Sequence, residues 1–150
     1  MSEWLWMPAS DWALYGCGLF FLTGLLTGVW KYWQVSQSEK ARAHYYVDVA
    51  HRASLMYAFA CLVLERFALL SVWDDWINTL AVLASLVFFG LAIGSYILHG
   101  FLQDTRNQLQ RPHRLGGGSV PELAMSTFMV SLIVAEVGGF AVLFAGFVMR

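Results

Sequence analysis

The chain has 150 residues, of which 59% are hydrophobic and 13% are charged, and its formal net charge is −1 at pH 7. This composition excludes an ordinary soluble bundle, because helices built from these residues would keep no polar face for water to wet. The apolar residues collect into long spans instead. We therefore expect the lipid bilayer to be the main partner, and we expect no nucleic-acid partner.

Taken in chain order, four apolar spans occupy about residues 12–33, 43–70, 76–102 and 120–149. Roughly 20 apolar residues are enough to cross the hydrocarbon core of a bilayer. Because backbone groups in lipid must hydrogen-bond to one another, each span is predicted to be a helix. The predicted fold is all-α: a polytopic membrane protein whose four transmembrane helices form an antiparallel bundle and a single domain.

The first span carries Gly24 and Gly28, and the third carries Gly90 and Gly94 at the same spacing. Glycines four residues apart share one stripe of a helix and let a neighbouring backbone approach closely. We therefore expect helix contacts at both stripes. Because four helices of this length enclose little interior, we also expect a homo-oligomer.

Charged loop residues predict how the chain is oriented. Lys and Arg gather in the loops after the first and third spans, whereas the loop between the second and third holds Asp74 and Asp75. By the positive-inside rule, both basic loops face the cytoplasm and both termini face the periplasm of a bacterial inner membrane. The longer basic loop, residues 103–119, is either a flexible connection or a lid over the inner mouth of the bundle.

The second span begins with a polar stripe. His44, Asp48 and His51 are spaced by four and three residues, which places them on one face of a helix. We expect His44, Asp48 and Arg52 to form an inner polar cluster, in which Asp48 and Arg52 can pair at i, i+4. His51 lies deeper in the span, and charged or titratable groups at such depth usually serve a function.

The third span contributes Tyr96 and His99, one turn apart and at a depth that we expect to match His51. Two histidines on facing helices can ligate a haem axially. His44 and His51 cannot both bind one iron, because they project from the same helix about 10 Å apart. A tyrosine beside such a cofactor could donate a hydrogen bond to a bound oxygen or nitrogen.

Toward the other face of the membrane, the second span holds Glu65 and Arg66, and the last span holds Glu136 in its middle. An unpaired carboxylate at that depth is costly. We therefore predict an interhelical ion pair between Arg66 and Glu136, with Glu65 beside it. The pair is either a structural clamp or a group that handles substrate or protons.

Short motifs in all four spans match one family pattern. They are the LLTG of Leu25–Gly28; Ala50 and His51 followed by Met56, Phe59 and Leu62; Gly94, Ser95, Tyr96 and Phe101; and Gly146 after a carboxylate near the start of the last span. With these motifs the chain resembles the hydroxylaminobenzene mutases and the related styrene oxide isomerases, small bacterial inner-membrane proteins of four helices.

The resemblance implies a b-type haem held by His51, whose ferric iron acts as a Lewis acid in a redox-neutral rearrangement of a small aromatic substrate. Tyr96 matches the position that orients the substrate. Tyr57 stands where the family has an asparagine, so a substrate-polarising amide is replaced by a phenol. Ala43 and His44 form a second Ala-His pair, which leaves His44 as the alternative ligand.

Two other functions remain open on the sequence. One is a non-enzymatic small integral-membrane subunit or assembly factor, whose charged residues would dock a partner helix. The other is a haem-bearing electron-transfer anchor that uses His51 and His99 together. Whether the chain is an enzyme, an isomerase of the mutase type, depends on the resemblance.

Overall fold

The computed structural model describes residues 7–150 of the chain. It contains four long helices and one short hairpin between the third and fourth helices. In chain order the elements are α1 (Ala9–Gln37), α2 (Tyr45–Leu70), α3 (Asp75–Leu102), β1 (Arg114–Leu115), β2 (Gly118–Ser119) and α4 (Glu122–Val148).

Each of the four helices is long and apolar enough to cross a membrane. They have 26 to 29 residues, and the mean hydropathy of their most apolar windows is 1.5 to 2.2. At 1.5 Å per residue they extend about 40 Å, which exceeds the hydrocarbon core of about 30 Å and reaches the headgroup regions. The predicted all-α fold with four spans is therefore confirmed, and the chain is a multi-pass membrane protein.

Local sequence signals explain where the helices begin and end. The ring of His44 accepts the backbone N–H of Tyr46 at 3.4 Å and so caps the first turn of α2. Helix α3 ends at Leu102, because the next residue, Gln103, has a left-handed φ of 49° that stops the helical hydrogen-bond pattern. Pro121 precedes the first residue of α4, where a missing N–H costs nothing, and Glu122 complements the positive helix terminus.

The glycine stripe of α1 forms its closest contact with α2. A Cβ atom on Gly24 would lie 2.5 Å from the Leu55 side chain, and one on Gly28 would lie 2.9 Å from the ring of His51. This confirms the helix contact expected at Gly24 and Gly28. The stripe expected on α3 is different: Gly94 faces open space, while Gly100 meets Trp30 and Val47.

Helix α4 packs on the edge of the bundle and buries only three of its residues. A Cβ on Gly139 would lie 2.6 Å from the carbonyl oxygen of Ala81, and Trp73 donates its indole N–H to the Val142 carbonyl at 2.9 Å. These contacts determine the height of α4 relative to α2 and α3. The rest of its apolar surface is available to lipid.

The two ends of the bundle differ in charge. We call the end where α1 and α3 finish and α2 and α4 begin the basic end, and the opposite end, with Asp74 and Asp75, the acidic end. Residues 103–119, which we call the cap, fold back over the helix termini at the basic end and include the β1–β2 hairpin.

Candidate functional site

His51 projects from α2 into the glycine groove of α1. Its Nδ1 lies 2.8 Å from the carbonyl oxygen of Gly24, and its ring sits where a side chain at Gly28 would otherwise be. The side chain is half-buried. The groove therefore holds the imidazole in one orientation without enclosing it.

The partner of His51 determines its tautomer. A carbonyl oxygen can only accept a hydrogen bond, so Nδ1 of the neutral ring must donate and carry the proton. The lone pair is then on Nε2. Histidines that bind metals usually donate their other N–H to a carbonyl or carboxylate in this way, which orients the ring and raises the basicity of the ligand.

The two ring nitrogens of His44 have the opposite roles to those of His51. Its Nδ1 accepts the Tyr46 amide, so in the neutral ring the proton lies on Nε2 and no lone pair is left for a metal. Burial, followed by the positive charge of Arg106, lowers the pKa of His44 below its ordinary value. Of the two Ala-His pairs, the geometry therefore favours His51 as the ligand.

His99 does not face His51, contrary to the sequence prediction. Tyr46 packs its ring 5.1 Å from the ring of His99, and Tyr57 stacks 4.2 Å from Phe89, which defines the antiparallel register of α2 and α3. In this register His51 lies five residues, about 7–8 Å of rise, beyond the level of His99. It also faces α1, because the glycine groove receives it there.

His99 instead belongs to a buried network at the basic end. Its Nδ1 donates to Asp104 Oδ1 at 2.7 Å, and Asp104 Oδ2 accepts the backbone N–H of Gly116 at 2.6 Å. Burial of Asp104 acts against its charged form, but the hydrogen bonds from His99 and Gly116 outweigh it and hold the pKa of Asp104 below the usual carboxyl range. The carboxylate thus links α3 to the hairpin of the cap.

A second set of hydrogen bonds joins the cap to the helices. The amide N–H of Gln108 donates to the Tyr46 hydroxyl at 2.6 Å, and Ser95 donates to the Gln108 side-chain carbonyl at 3.3 Å. The sequence left two interpretations of residues 103–119, a flexible connection and a lid. The hydrogen bonds support the lid, because they hold these residues in an ordered position over the bundle. The sequence prediction missed Asp104; its signal was an acid just past the end of α3, five residues after His99.

The inner polar cluster forms in part. Asp48 accepts from Arg52 at 2.8 Å, which confirms the predicted i, i+4 pair, and it also accepts from Lys31 of α1 at 2.5 Å. The His44 ring forms the helix cap instead, and only its carbonyl oxygen contacts the pair, by accepting the Asp48 N–H at 3.2 Å. The Lys31 contact could not be read from the spacing within α2, because it joins two helices.

The predicted ion pair between Arg66 and Glu136 is absent from residues 7–150, and Glu65 does not replace it. Gly146 lies against Ser71, at the end of α2. From that level Arg66 is five residues away and Glu136 ten, so their heights differ by about 7–8 Å. Arg66 is exposed on the outside of the bundle.

Glu136 is left without an ionic partner in the part of the chain that the structure describes. Its Oε1 is buried and has no hydrogen-bond partner among residues 7–150. Neither the Tyr57 nor the Tyr96 hydroxyl donates a hydrogen bond to it.

Tyr57 and Tyr96, two predicted site residues, also lie apart. Tyr57 stacks on Phe89 and Tyr96 stacks on Tyr46, so about seven residues, or about 10 Å of rise, separate them along α3. Tyr57 is rotated about 120° from His51 around α2.

No three His, Cys, Asp or Glu side chains converge in the described part of the chain in a way that would hold a bare metal ion. A haem makes a smaller demand, because one or two protein ligands suffice.

Comparisons with protein-family models, curated proteins and solved structures find nothing that matches this chain. The resemblance to the mutases and isomerases consequently depends on the short motifs alone.

Proposed function

We propose that the chain is a haem-binding membrane enzyme of the mutase and isomerase type, in which His51 Nε2 is the protein ligand of the iron. The observation that carries the proposal is the hydrogen bond from His51 Nδ1 to the Gly24 carbonyl, which leaves Nε2 as the basic nitrogen. When bound, the b-type haem supplies ferric iron as a Lewis acid toward an oxygen or nitrogen of a small aromatic substrate.

The roles of the chain's own groups follow from their positions. The Gly24 carbonyl oxygen accepts a hydrogen bond from the His51 Nδ1–H, and Gly28 leaves space for the imidazole. Both glycines therefore position the ligand. The surrounding surface of α1 and α2 is apolar and exposed, with Leu25 and Met56 among its exposed side chains. An aromatic substrate dissolved in lipid can therefore approach without crossing water.

Tyr96 and Tyr57 would act as hydrogen-bond donors that orient a polar atom of the substrate. Both side chains are half-buried, and their hydroxyls donate to no group within residues 7–150, which leaves them available to a substrate. Since Tyr57 lies on another face of α2 from His51, and Tyr96 lies on α3, the proposal includes a homo-oligomer, to which the largely unburied α4 offers a surface.

The proposal also places the chain in a bacterial inner membrane, with the basic end in the cytoplasm and both termini in the periplasm. The distribution of Lys and Arg between the two ends supports this orientation. A haem shared by His51 and His99 for electron transfer has no geometric support, since His99 is buried against Tyr46 and donates to Asp104.

The decisive measurement is the absorption spectrum of the full chain, purified in detergent from cells supplied with a haem precursor. We expect a Soret band that disappears in His51→Ala and persists in the matched control His44→Ala. Absence of the band from the wild-type protein would refute haem binding and leave the non-enzymatic membrane subunit as the remaining function. Loss of the band in His44→Ala alone would move the ligand to that residue.

A further inference from the structure

The basic end carries a cluster of Lys, Arg and His side chains around two adjoining cavities. We call this cluster the basic basin, and its members are Lys40, Arg42, His44, Arg106, Arg111 and Arg114. One cavity has a volume of about 490 Å³ and the other about 590 Å³, and both are lined by His44 and Arg106. Cavities of this size are large enough for a small polar ligand group.

Most of these cations have no acidic partner. Arg111 pairs with Glu122 at 2.5 Å, and Lys40, Arg42, Arg106 and Arg114 form no ion pair within residues 7–150. Asp104 lines the smaller cavity, and both of its oxygens are already occupied by His99 and Gly116. The five Lys and Arg residues therefore outnumber the acids beside them, and the basin keeps a net positive charge.

His44 adds a neutral donor to this charge. Because its Nδ1 accepts the Tyr46 amide, the proton of the neutral ring is on Nε2, in a side chain that lines both cavities. The positive end of the α2 dipole lies at the same point. Arginine forks and an N–H donor are the groups that proteins use to bind the oxygens of a phosphate.

The position of the basin points to a lipid as the source of that phosphate. The helices extend beyond the hydrocarbon core, so their termini at the basic end lie at the headgroup level. Trp33 lines the larger cavity and is 59% exposed, and Tyr45, which lines a neighbouring cavity together with Arg106, is 50% exposed. Such exposed aromatic side chains are typical of the membrane interface.

We infer that the basic basin is a binding site for a phosphate ester anion, the headgroup of an anionic phospholipid, with Arg106 at its centre. Clusters of Lys and Arg at a membrane surface attract anionic headgroups, and each cation contributes separately. The neighbouring apolar surface, where Phe101 is 70% exposed, accepts the acyl chains. This site is separate from the His51 groove and does not depend on haem.

The test is an equilibrium titration of the full chain in neutral dodecyl maltoside micelles. The probes are dihexanoyl-phosphatidylglycerol, dihexanoyl-phosphatidylcholine as the zwitterionic control, and inorganic phosphate as the soluble anion. We expect saturable binding of the phosphatidylglycerol, with an affinity at least roughly tenfold higher than for the phosphatidylcholine, since several cations contribute. Inorganic phosphate should not compete at comparable concentrations.

Arg106→Gln should weaken phosphatidylglycerol binding by roughly fivefold, because it removes one exposed cation from the site. Its matched control is Arg66→Gln, which removes the same charge from an exposed position near the acidic end. Circular dichroism checks that both variants keep their helices. Equal weakening by the two variants would mean that only net charge matters, and would overturn the site.

A salt series on the wild-type protein gives a readout that needs no variant. Raising NaCl from about 0.1 M to about 1 M shortens the Debye length from about 10 Å to about 3 Å and should abolish most of the preference for phosphatidylglycerol. Equal binding of both lipids at low salt would overturn the proposal. Competition by inorganic phosphate at equal affinity would assign the basin to a soluble anion and overturn the lipid assignment.

Discussion

His51 and His99 use the same ring nitrogen for different purposes. The Nδ1 of His51 donates to a neutral backbone carbonyl in the α1–α2 groove, and the ring stays half-exposed. The Nδ1 of His99 donates to a carboxylate, and only 5% of the residue is exposed. The first arrangement orients an imidazole that remains accessible, whereas the second holds the cap on the bundle.

The difference shows that spacing alone does not define the role of a membrane histidine. Both residues lie toward the basic ends of their helices, and the sequence suggested a shared site for them. What separates them is the neighbour that each ring meets: a glycine groove accepts His51, and Asp104 receives His99. The predictions below test this contrast, beginning with the largest effect.

Replacing each histidine by alanine should affect haem binding and stability in opposite ways. His51→Ala should abolish haem binding with little change in the cap, because its hydrogen bond is to α1. His99→Ala should keep the Soret band but lower the stability of the fold. The substitution leaves the Asp104 carboxylate buried without the hydrogen bond from the His99 ring. Absorption spectra and thermal unfolding of both variants measure the two effects, and a lost band in His99→Ala would break the comparison.

Asp104→Ala should lower the free energy of unfolding by about 2–4 kcal/mol, since it removes two hydrogen bonds to a buried carboxylate and leaves both donors without partners. Hydrogen exchange should increase across residues 103–119 and remain unchanged in the α1–α2 groove. Asp11→Ala, an exposed acid at the opposite end, is the control. Protection of the cap at its wild-type level would show that other contacts hold it.

The stability of the cap should also depend on pH. The pKa of Asp104 is depressed by its hydrogen bonds, although burial opposes this. Its contribution is therefore complete above the unfolded carboxyl value of about 3.9 and is lost as the pH falls through the lower folded value. Acid unfolding of the wild-type protein should show this loss, and Asp104→Asn should show a shallower slope over the same range.

Gly28→Ala should destabilise the α1–α2 contact by about 1–3 kcal/mol, because its Cβ would lie 2.9 Å from the His51 ring and the ring would have to move. We expect weaker haem binding in the same variant. Gly94→Ala is the matched control in α3, where the added Cβ meets nothing within 4 Å. A similar loss of the Soret band in both variants would contradict the claim that the α1–α2 groove positions His51 for haem binding.

The smallest effect concerns Glu136, a polar group that lacks the kind of partner that holds each histidine. Glu136→Gln and Arg66→Gln should be additive, with a coupling energy below about 0.5 kcal/mol, because the two residues form no ion pair. A double-mutant cycle in unfolding free energy measures it. Coupling of about 1 kcal/mol or more would restore the ion pair that the sequence predicted.

Local patterns were sufficient for some parts of the site. The spacing of Asp48 and Arg52 predicted their ion pair, and the Gly24–Gly28 stripe predicted a close helix contact. Both features depend only on helical geometry within one segment. The partner of the glycine stripe was not predicted, since which residue of α2 enters the groove depends on how the two helices slide past each other.

The sequence by itself determined that this protein crosses the membrane four times, because apolar length decides whether a segment can leave water. It also determined the charge asymmetry of the two ends. Only the tertiary structure decided that His51 meets Gly24, that His99 meets Asp104 and that Arg66 misses Glu136. These contacts depend on helix rotation and on register shifts of a few ångströms, which the van der Waals fit of glycines and bulky side chains selects.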